Sequence, residues 1–119
     1  MLFKAGEFRA HSGGLLPWKI DCDALSTEEL AALAGIVARK IKFGAVIGIP
    51  RGGLRFAQQL SRYRKAGEAA LIVDDVLTTG ASMERYRESS GDIGVVIFAR
   101  GPCPDWVRPI FAVGDWVAG

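Results

Sequence analysis

Leu71-Ile72-Val73-Asp74-Asp75-Val76-Leu77-Thr78-Thr79-Gly80-Ala81-Ser82 runs from unbroken apolar residues into two adjacent carboxylates and then into a small, hydroxyl-rich turn. The apolar run over 69–73 has the pattern of a strand buried on both faces of a parallel sheet, which places Asp74 and Asp75 at its carboxyl edge. Open α/β sheets bind their ligands at that edge. A helix is expected to begin near Gly80 and run toward Ser89, so residues 78–82 would offer free backbone N–H groups, hydroxyls and a positive dipole end. Such a turn suits a phosphate. Two carboxylates beside a phosphate repel it unless a neutral group with donors stands between them. A ribose meets both conditions, its vicinal hydroxyls donating to Asp74 and Asp75 while its 5′-phosphate sits over 78–82. On the residues alone, a plain strand-to-helix turn with an N-cap is the alternative.

Two further segments carry chemistry. Residues 45–49 form another short apolar strand, followed by Pro50-Arg51-Gly52-Gly53 and an amphipathic stretch over 54–64. The two glycines let the backbone approach an anion, and Arg51 adds positive charge at a helix N-terminus. This is not a dinucleotide fingerprint, because Pro50 stands where G-x-G-x-x-G needs its second glycine, and no Walker A lysine pattern occurs. At the N-terminus, residues 8–11 and 18–21 read as two short strands joined by Ser12-Gly13-Gly14, a hairpin. His11, taken by itself, is a surface or hydrogen-bonded histidine more often than a ligand-binding one.

The remaining elements alternate. Ser26-Thr27-Glu28-Glu29 is a capping box opening a helix with an apolar stripe of Leu30, Leu33, Ala34, Val37 and Ile41, ending at Gly44. Strand 45–49, helix 53–65, strand 69–74, helix 80–90, strand 93–98 and an extended piece near 110–113 follow. The order predicts a three-layer α/β fold with a parallel sheet and no linker or repeat.

Together the three segments resemble type I phosphoribosyltransferases. The stretch over 71–82 is similar to their phosphoribosyl diphosphate (PRPP) motif, 50–53 to their pyrophosphate loop, and 3–21 to the opening of the orotate branch, whose N-terminal segment forms a hood over the base. The resemblance implies an α/β phosphoribosyltransferase-like fold, with residues 1–119 a single domain divided into a hood (1–22) and a core (23–119). It implies transfer of ribose 5-phosphate from PRPP to a nucleobase, orotate or another, with release of pyrophosphate. Asp74 and Asp75 would hold the ribose and act in catalysis, Thr78, Thr79, Gly80, Ala81 and Ser82 the 5′-phosphate, and Arg51, Gly52 and Gly53 the pyrophosphate. Mg²⁺ would be reached from Asp74 and Asp75 directly or through water. His11 falls where the family places a lysine that meets the base's acidic groups, and Trp18, Lys19 and Ile20 fall where aromatic residues cover the ring.

One expected part is missing. The family has a strand and a long mobile loop ahead of its PRPP strand, and in the orotate branch that loop supplies basic residues; here only residues 54–68 intervene, one helix and a Gly67 stop. The cluster Arg62, Tyr63, Arg64 and Lys65 could replace part of that charge or be an ordinary cationic helix end. A second expectation is therefore a PRPP- or nucleotide-binding regulatory protein with little turnover, since loss of a lid damages rate more than affinity. A third is a reduced domain whose partner supplies the loop.

Composition agrees with a small soluble domain. In 119 residues, 50% hydrophobic with mean hydropathy +0.20, there is room for one well-filled core. No run approaches a membrane span, no cleavable signal pattern opens the chain, and a cytoplasmic location is expected. Cys22 and Cys103 are distant singletons that suggest neither a metal site nor a disulfide. A net charge of +2 is too mild for a nucleic-acid footprint but fits an anionic small substrate. Expected partners are PRPP with a nucleobase or nucleoside monophosphate, no nucleic acid and no membrane. A homodimer is also expected. Trp106, Ile110, Phe111 and Trp116 would pack on the core by default, or else complete the hood or form the dimer face.

Overall fold

The computed structural model describes residues 1–9 and 15–113. Where the sequence places its capping box, the Ser26 hydroxyl accepts from the Glu29 N–H at 3.0 Å and the Glu29 carboxylate accepts from the Ser26 N–H at 2.9 Å. Helix α1 (Thr27–Lys40) starts there. It buries Leu30, Ala34 and Val37, one face at i, i+4, i+7, and carries Arg39 and Lys40 in its last turn, where the dipole favours cations. Strand β3 (Val46–Gly48), helix α2 (Leu54–Leu60), β4 (Leu71–Leu77), α3 (Ala81–Tyr86), β5 (Ile93–Ala99) and β6 (Val107–Ala112) follow. The four strands form one parallel sheet in the order β3-β4-β5-β6. At the N-terminus β1 (Phe3–Arg9) and β2 (Leu15–Ile20) pair antiparallel as a separate hairpin. The Ser12-Gly13-Gly14 turn expected between them lies outside the described residues.

Alternation along β4 and β5 divides the core. Leu71, Val73, Val95 and Ile97 join Phe56, Leu60 and the α1 stripe on one face of the sheet. Ile72 and Val96 join Met83 of α3, with Trp106 packed against them, on the other. The fold is thus three-layered, as the alternation of elements predicts. The crossovers β3–α2–β4 and β4–α3–β5 step the same way across the sheet with their helices on opposite faces, so they have opposite hands. One of them departs from the right-handed rule for parallel strands. The strand that the resemblance places between α2 and β4 is absent here, and α2 leads straight to β4.

Several boundaries differ from the sequence reading. Helix α2 ends at Leu60 and tightens into a 3₁₀ turn, Ser61–Tyr63, instead of running to 65. Helix α3 stops at Tyr86, short of 90, because Arg87 turns extended and its guanidinium donates to the carbonyls of Ser89 and Ser90. Strand β6 begins at Val107, three residues before the expected piece, and β1 begins at Phe3 rather than at residue 8. Strand β4 continues through both aspartates to Leu77, so these are residues of the strand itself and not of the turn after it. Trp106 is fixed by a 2.7 Å bond from its indole N–H to Glu84 and lies under the Arg87 guanidinium at 4.7 Å, consistent with packing on the core. Phe111 stacks on Phe98 at 5.3 Å but stays 46% exposed, and Trp116 lies outside the described residues. Among the described residues no helix is long and apolar enough to cross a membrane.

Candidate functional site

Strand β3 ends at Gly48, while β4 continues for several residues, so beyond Val73 the β3 side of β4 lacks a ladder partner. The side chains fill the gap. Asp74 Oδ1 accepts from the Asp75 N–H and Asp75 Oδ1 from the Val76 N–H, each at 2.8 Å. Because successive strand residues face opposite ways, Asp75 lies on the Leu71–Val73 side with α2 and Asp74 on the Ile72 side with α3. Two adjacent carboxylates therefore serve two walls of one site.

On the α2 side the chain leaves β3 through a turn whose Ile49 N–H donates to Val73 O at 2.8 Å and whose Pro50–Arg51 peptide is cis. In the same loop Gly52 lies so close to Asp75 that a Cβ there would overlap the carboxylate. Glycine is required for that approach. On the α3 side the turn after β4 leaves Thr78, Thr79, Ala81 and Ser82 exposed, with the Thr79 hydroxyl accepting from the Ala81 N–H at 3.3 Å. Gly80 caps α3 in the left-handed region, φ 84°, which a side chain would strain. The six-residue helix adds little dipole, so an anion would be held here by N–H groups and hydroxyls.

Burial pushes the Asp74 carboxyl up to about 7, with the hydrogen-bonded and negatively charged Asp75 beside it as the next cause. Near neutrality Asp74 is therefore divided between acid and carboxylate. Cys22, at the end of the hood, is buried in the apolar core and its thiol is raised to about 12, first by burial and then by the charge of Asp75, which leaves it unreactive.

A cleft of about 700 Å³ gathers these parts. Arg51, Gly52, Asp74, Asp75, Thr78, Thr79, Ala81, Ser82, Lys19 and Ile20 line it, all expected from the sequence. Gly80 lines a small adjoining depression with Asp74, and Gly53 is buried beneath the loop against the carbonyl of Val73. Trp18 does not line the cleft; it backs the wall. Its carbonyl accepts from Arg100 Nη1 at 3.0 Å, and the Arg100 guanidinium lies 3.6 Å from its ring centre. His11 lies outside the described residues. The basic cluster Arg62, Arg64 and Lys65 is not part of the cleft, so it does not stand in for the missing loop there.

Sequence reasoning missed Arg100, Arg85, Arg9 and Phe8, which also line the cleft. Arg100 was findable: it directly follows the apolar run 93–99, at the same carboxyl edge that singles out Asp74. It is 8% exposed, the only buried cation among the described residues. Nothing in the spacing of Arg85, on the short α3, or of Arg9 marks them.

A parallel sheet with a carboxylate pair and hydroxyl turn at one strand's edge, a glycine loop at the next and a hairpin above is the architecture of type I phosphoribosyltransferases. No protein-family model matches the chain. A curated relative, the orotate phosphoribosyltransferase of Pyrobaculum aerophilum, is 31% identical over 140 aligned positions covering 84% of this chain and 70% of the relative. Because 140 positions exceed the 119 residues here, the relative carries residues with no counterpart in this chain. The crystal structure of orotate phosphoribosyltransferase from Aeropyrum pernix superposes with a TM-score of 0.69 at 23% identity, covering 93% of this chain and 88% of that one. The structure of Leishmania donovani UMP synthase gives 0.72 at 20% identity over 94% of this chain but 34% of its own. These two likenesses establish the fold. The sequence relationship establishes more: the chain belongs to the orotate phosphoribosyltransferase family.

Proposed function

We propose that this protein transfers ribose 5-phosphate from PRPP to a nitrogen of an acidic, orotate-type nucleobase, releasing pyrophosphate, with residues 1–119 acting as one domain of hood and core. The observation that carries this reading is the convergence, in one cleft, of Asp74 and Asp75, the 78–82 turn and the Arg51-Gly52 loop. Ribose hydroxyls donate to the aspartates, the 5′-phosphate takes the N–H groups and hydroxyls of 78–82, and the diphosphate lies along Arg51 and Gly52. Bond breaking at C1′ leaves cationic character on the ribose ring, which the carboxylates stabilise, and negative charge on the diphosphate, which the cations stabilise. Arg100, at the junction of sheet and hood, supplies positive charge for an acidic base.

A magnesium requirement fits the donor set in one form. Among the described residues no cluster of three or more His, Cys, Asp or Glu side chains could cage a metal. Two carboxylates beside a diphosphate site suit an ion that keeps much of its water and arrives with the substrate. When bound, Mg²⁺ would neutralise charge on the leaving diphosphate, held by Asp74 and Asp75 directly or through water.

The test is pyrophosphate release from PRPP and Mg²⁺ with a panel of bases. Orotate should be the preferred acceptor. Its turnover should fall well below the ~10 s⁻¹ typical of enzymes, because His11 stands where the family has lysine and the basic loop is absent. Failure to release pyrophosphate with any base, together with failure to bind PRPP, would remove the proposal.

A further inference from the structure

We infer that the hood is a diphosphate-binding wall in this chain, with Arg9 and Lys19 as its ligands; the inference rests on the PRPP reading of the cleft. Arg51 is the loop's own cation, and the loop packs against the Asp75 carboxylate, so a diphosphate there meets a negative charge at close range. Besides any Mg²⁺ that arrives with the substrate, further positive charge faces the loop from across the cleft. The hood strands provide it, since Arg9 at the end of β1 and Lys19 on β2 line the same cleft as Arg51 and Asp75.

The hairpin itself marks Lys19 as more than a surface charge. Lys4 and Lys19 sit directly opposite each other in the β1–β2 register, a like-charge cross-strand pair that weakens a hairpin. The two lysines are disposed of differently. Lys4 is neutralised by a 2.9 Å ion pair with Asp21. Lys19 makes no ion pair among the described residues and feels Asp21 only at longer range; its ammonium rests 5.0 Å from the Phe8 ring centre, a weak contact that a diphosphate oxygen would readily displace. A cation held at a cost to its own strand pair, over a cleft that must take a polyanion, is placed for that anion.

Lys19 thus departs from the ring-covering role that its position in the family suggests. Arg85, beside the 78–82 turn on the opposite wall, is placed for the 5′-phosphate instead. The two anionic ends of PRPP therefore draw on different cations, and the assignment predicts which ligand each one senses.

The experiment is calorimetry on the full chain with Mg²⁺, titrating inorganic pyrophosphate and, separately, ribose 5-phosphate into wild type, Lys19→Gln, Arg9→Gln and Lys19→Arg. Both glutamine variants should bind pyrophosphate about tenfold more weakly and ribose 5-phosphate within about twofold of wild type, while Lys19→Arg keeps most of the pyrophosphate affinity. Matching circular dichroism and melting curves would show that the hairpin survives the changes. Wild type binding both probes, with the glutamine variants unchanged or weakened equally for both, overturns the hood assignment and leaves the PRPP reading standing. Wild type binding neither probe overturns both.

Discussion

The carboxyl edge of β4 and the hood hairpin face each other across one cleft and are held in unlike ways. Strand β4 lies between β3 and β5 with Leu71, Ile72 and Val73 fully buried, so Asp74 and Asp75 are placed by a close-packed interior. The hood is a two-stranded ribbon, an element with little stability of its own. It is tied down by Leu2 and Ile20 against the core, by Phe3 on Phe98 at 5.9 Å, and by Arg100 under Trp18. The half proposed to take ribose and phosphate is therefore anchored in the core, and the half proposed to cover the base depends on a few long-range contacts. Substitutions of the two aspartates should cost chemistry without stability, and those at the tether should cost both.

The largest effect is expected from Asp74→Asn with Asp75→Asn. Each removes a charge preorganised for the transition state, typically a hundredfold to thousandfold in rate, so pyrophosphate release should fall by about a thousandfold or more. The melting temperature should hold or rise, because two adjacent carboxylates in the empty site repel each other. A marked drop in melting temperature would make the pair structural and erase the contrast between the two halves.

Next is Arg100→Met, which keeps the apolar bulk and removes the guanidinium. The bond to the Trp18 carbonyl and the contact with its ring should together be worth about 2–3 kcal/mol, lowering stability by that order in denaturant titrations. The KM for the base should rise at least about tenfold, while ribose 5-phosphate affinity changes little. Equal loss of ribose 5-phosphate binding would mean that the hood and the phosphosugar half are one unit.

A smaller and more local change is Gly52→Ala. Its Cβ would run into the Asp75 carboxylate, and overpacking of this kind costs about 1–3 kcal/mol. The turn should move rather than the strand, so pyrophosphate affinity falls while ribose 5-phosphate binding is kept. Loss of both in calorimetry would show that Asp75 had moved instead.

The same division explains what could be seen in the sequence. The carboxylate pair with its hydroxyl turn, and the glycine loop, are each a contiguous segment whose chemistry follows from its neighbours along the chain, so each was legible, and the resemblance joined them. The capping box and the α1 stripe were legible for the same reason. Arg100 and Trp18 are 82 residues apart, and no local pattern announces that one will lie beneath the other. Arg85 reaches the cleft from a helix that ends early because Arg87 bonds the carbonyls of Ser89 and Ser90, a closure among polar residues that helical periodicity does not register. The opposite hands of the two crossovers follow from which face each helix packs on. That is decided by the sheet as a whole.

The smallest effect is a pH dependence that, near neutrality, belongs to the β4 half. Asp74 titrates near 7 in the folded chain, against an ordinary value of 3.8, with burial as the main cause. Between about pH 4 and about pH 7 the folded protein holds a proton that the unfolded chain has released, so the stability of the ligand-free protein falls as pH rises through that window. Outside the window this group contributes no slope. Asp21 works in the opposite sense: its hydrogen bond to Lys4 lowers its pKa below 3.8, so its contribution is present above about pH 4 and is lost as pH falls through the depressed value. The two windows do not overlap. Melting curves in chelator-containing buffers should therefore show a decline of the wild-type midpoint between pH 5 and 7 that Asp74→Asn flattens. A slope that persists in the variant would place the titrating group elsewhere. Affinity should run the other way, because an ionised carboxylate accepts from the ribose hydroxyls more strongly than the acid does: ribose 5-phosphate binding should strengthen as pH rises toward 7, more steeply than the ligand's own phosphate ionisation produces in Asp74→Asn, and release part of a proton in calorimetry. Stability and affinity changing in opposite directions over one pH interval would identify Asp74 as a group held in the core for its ligand and not for the fold.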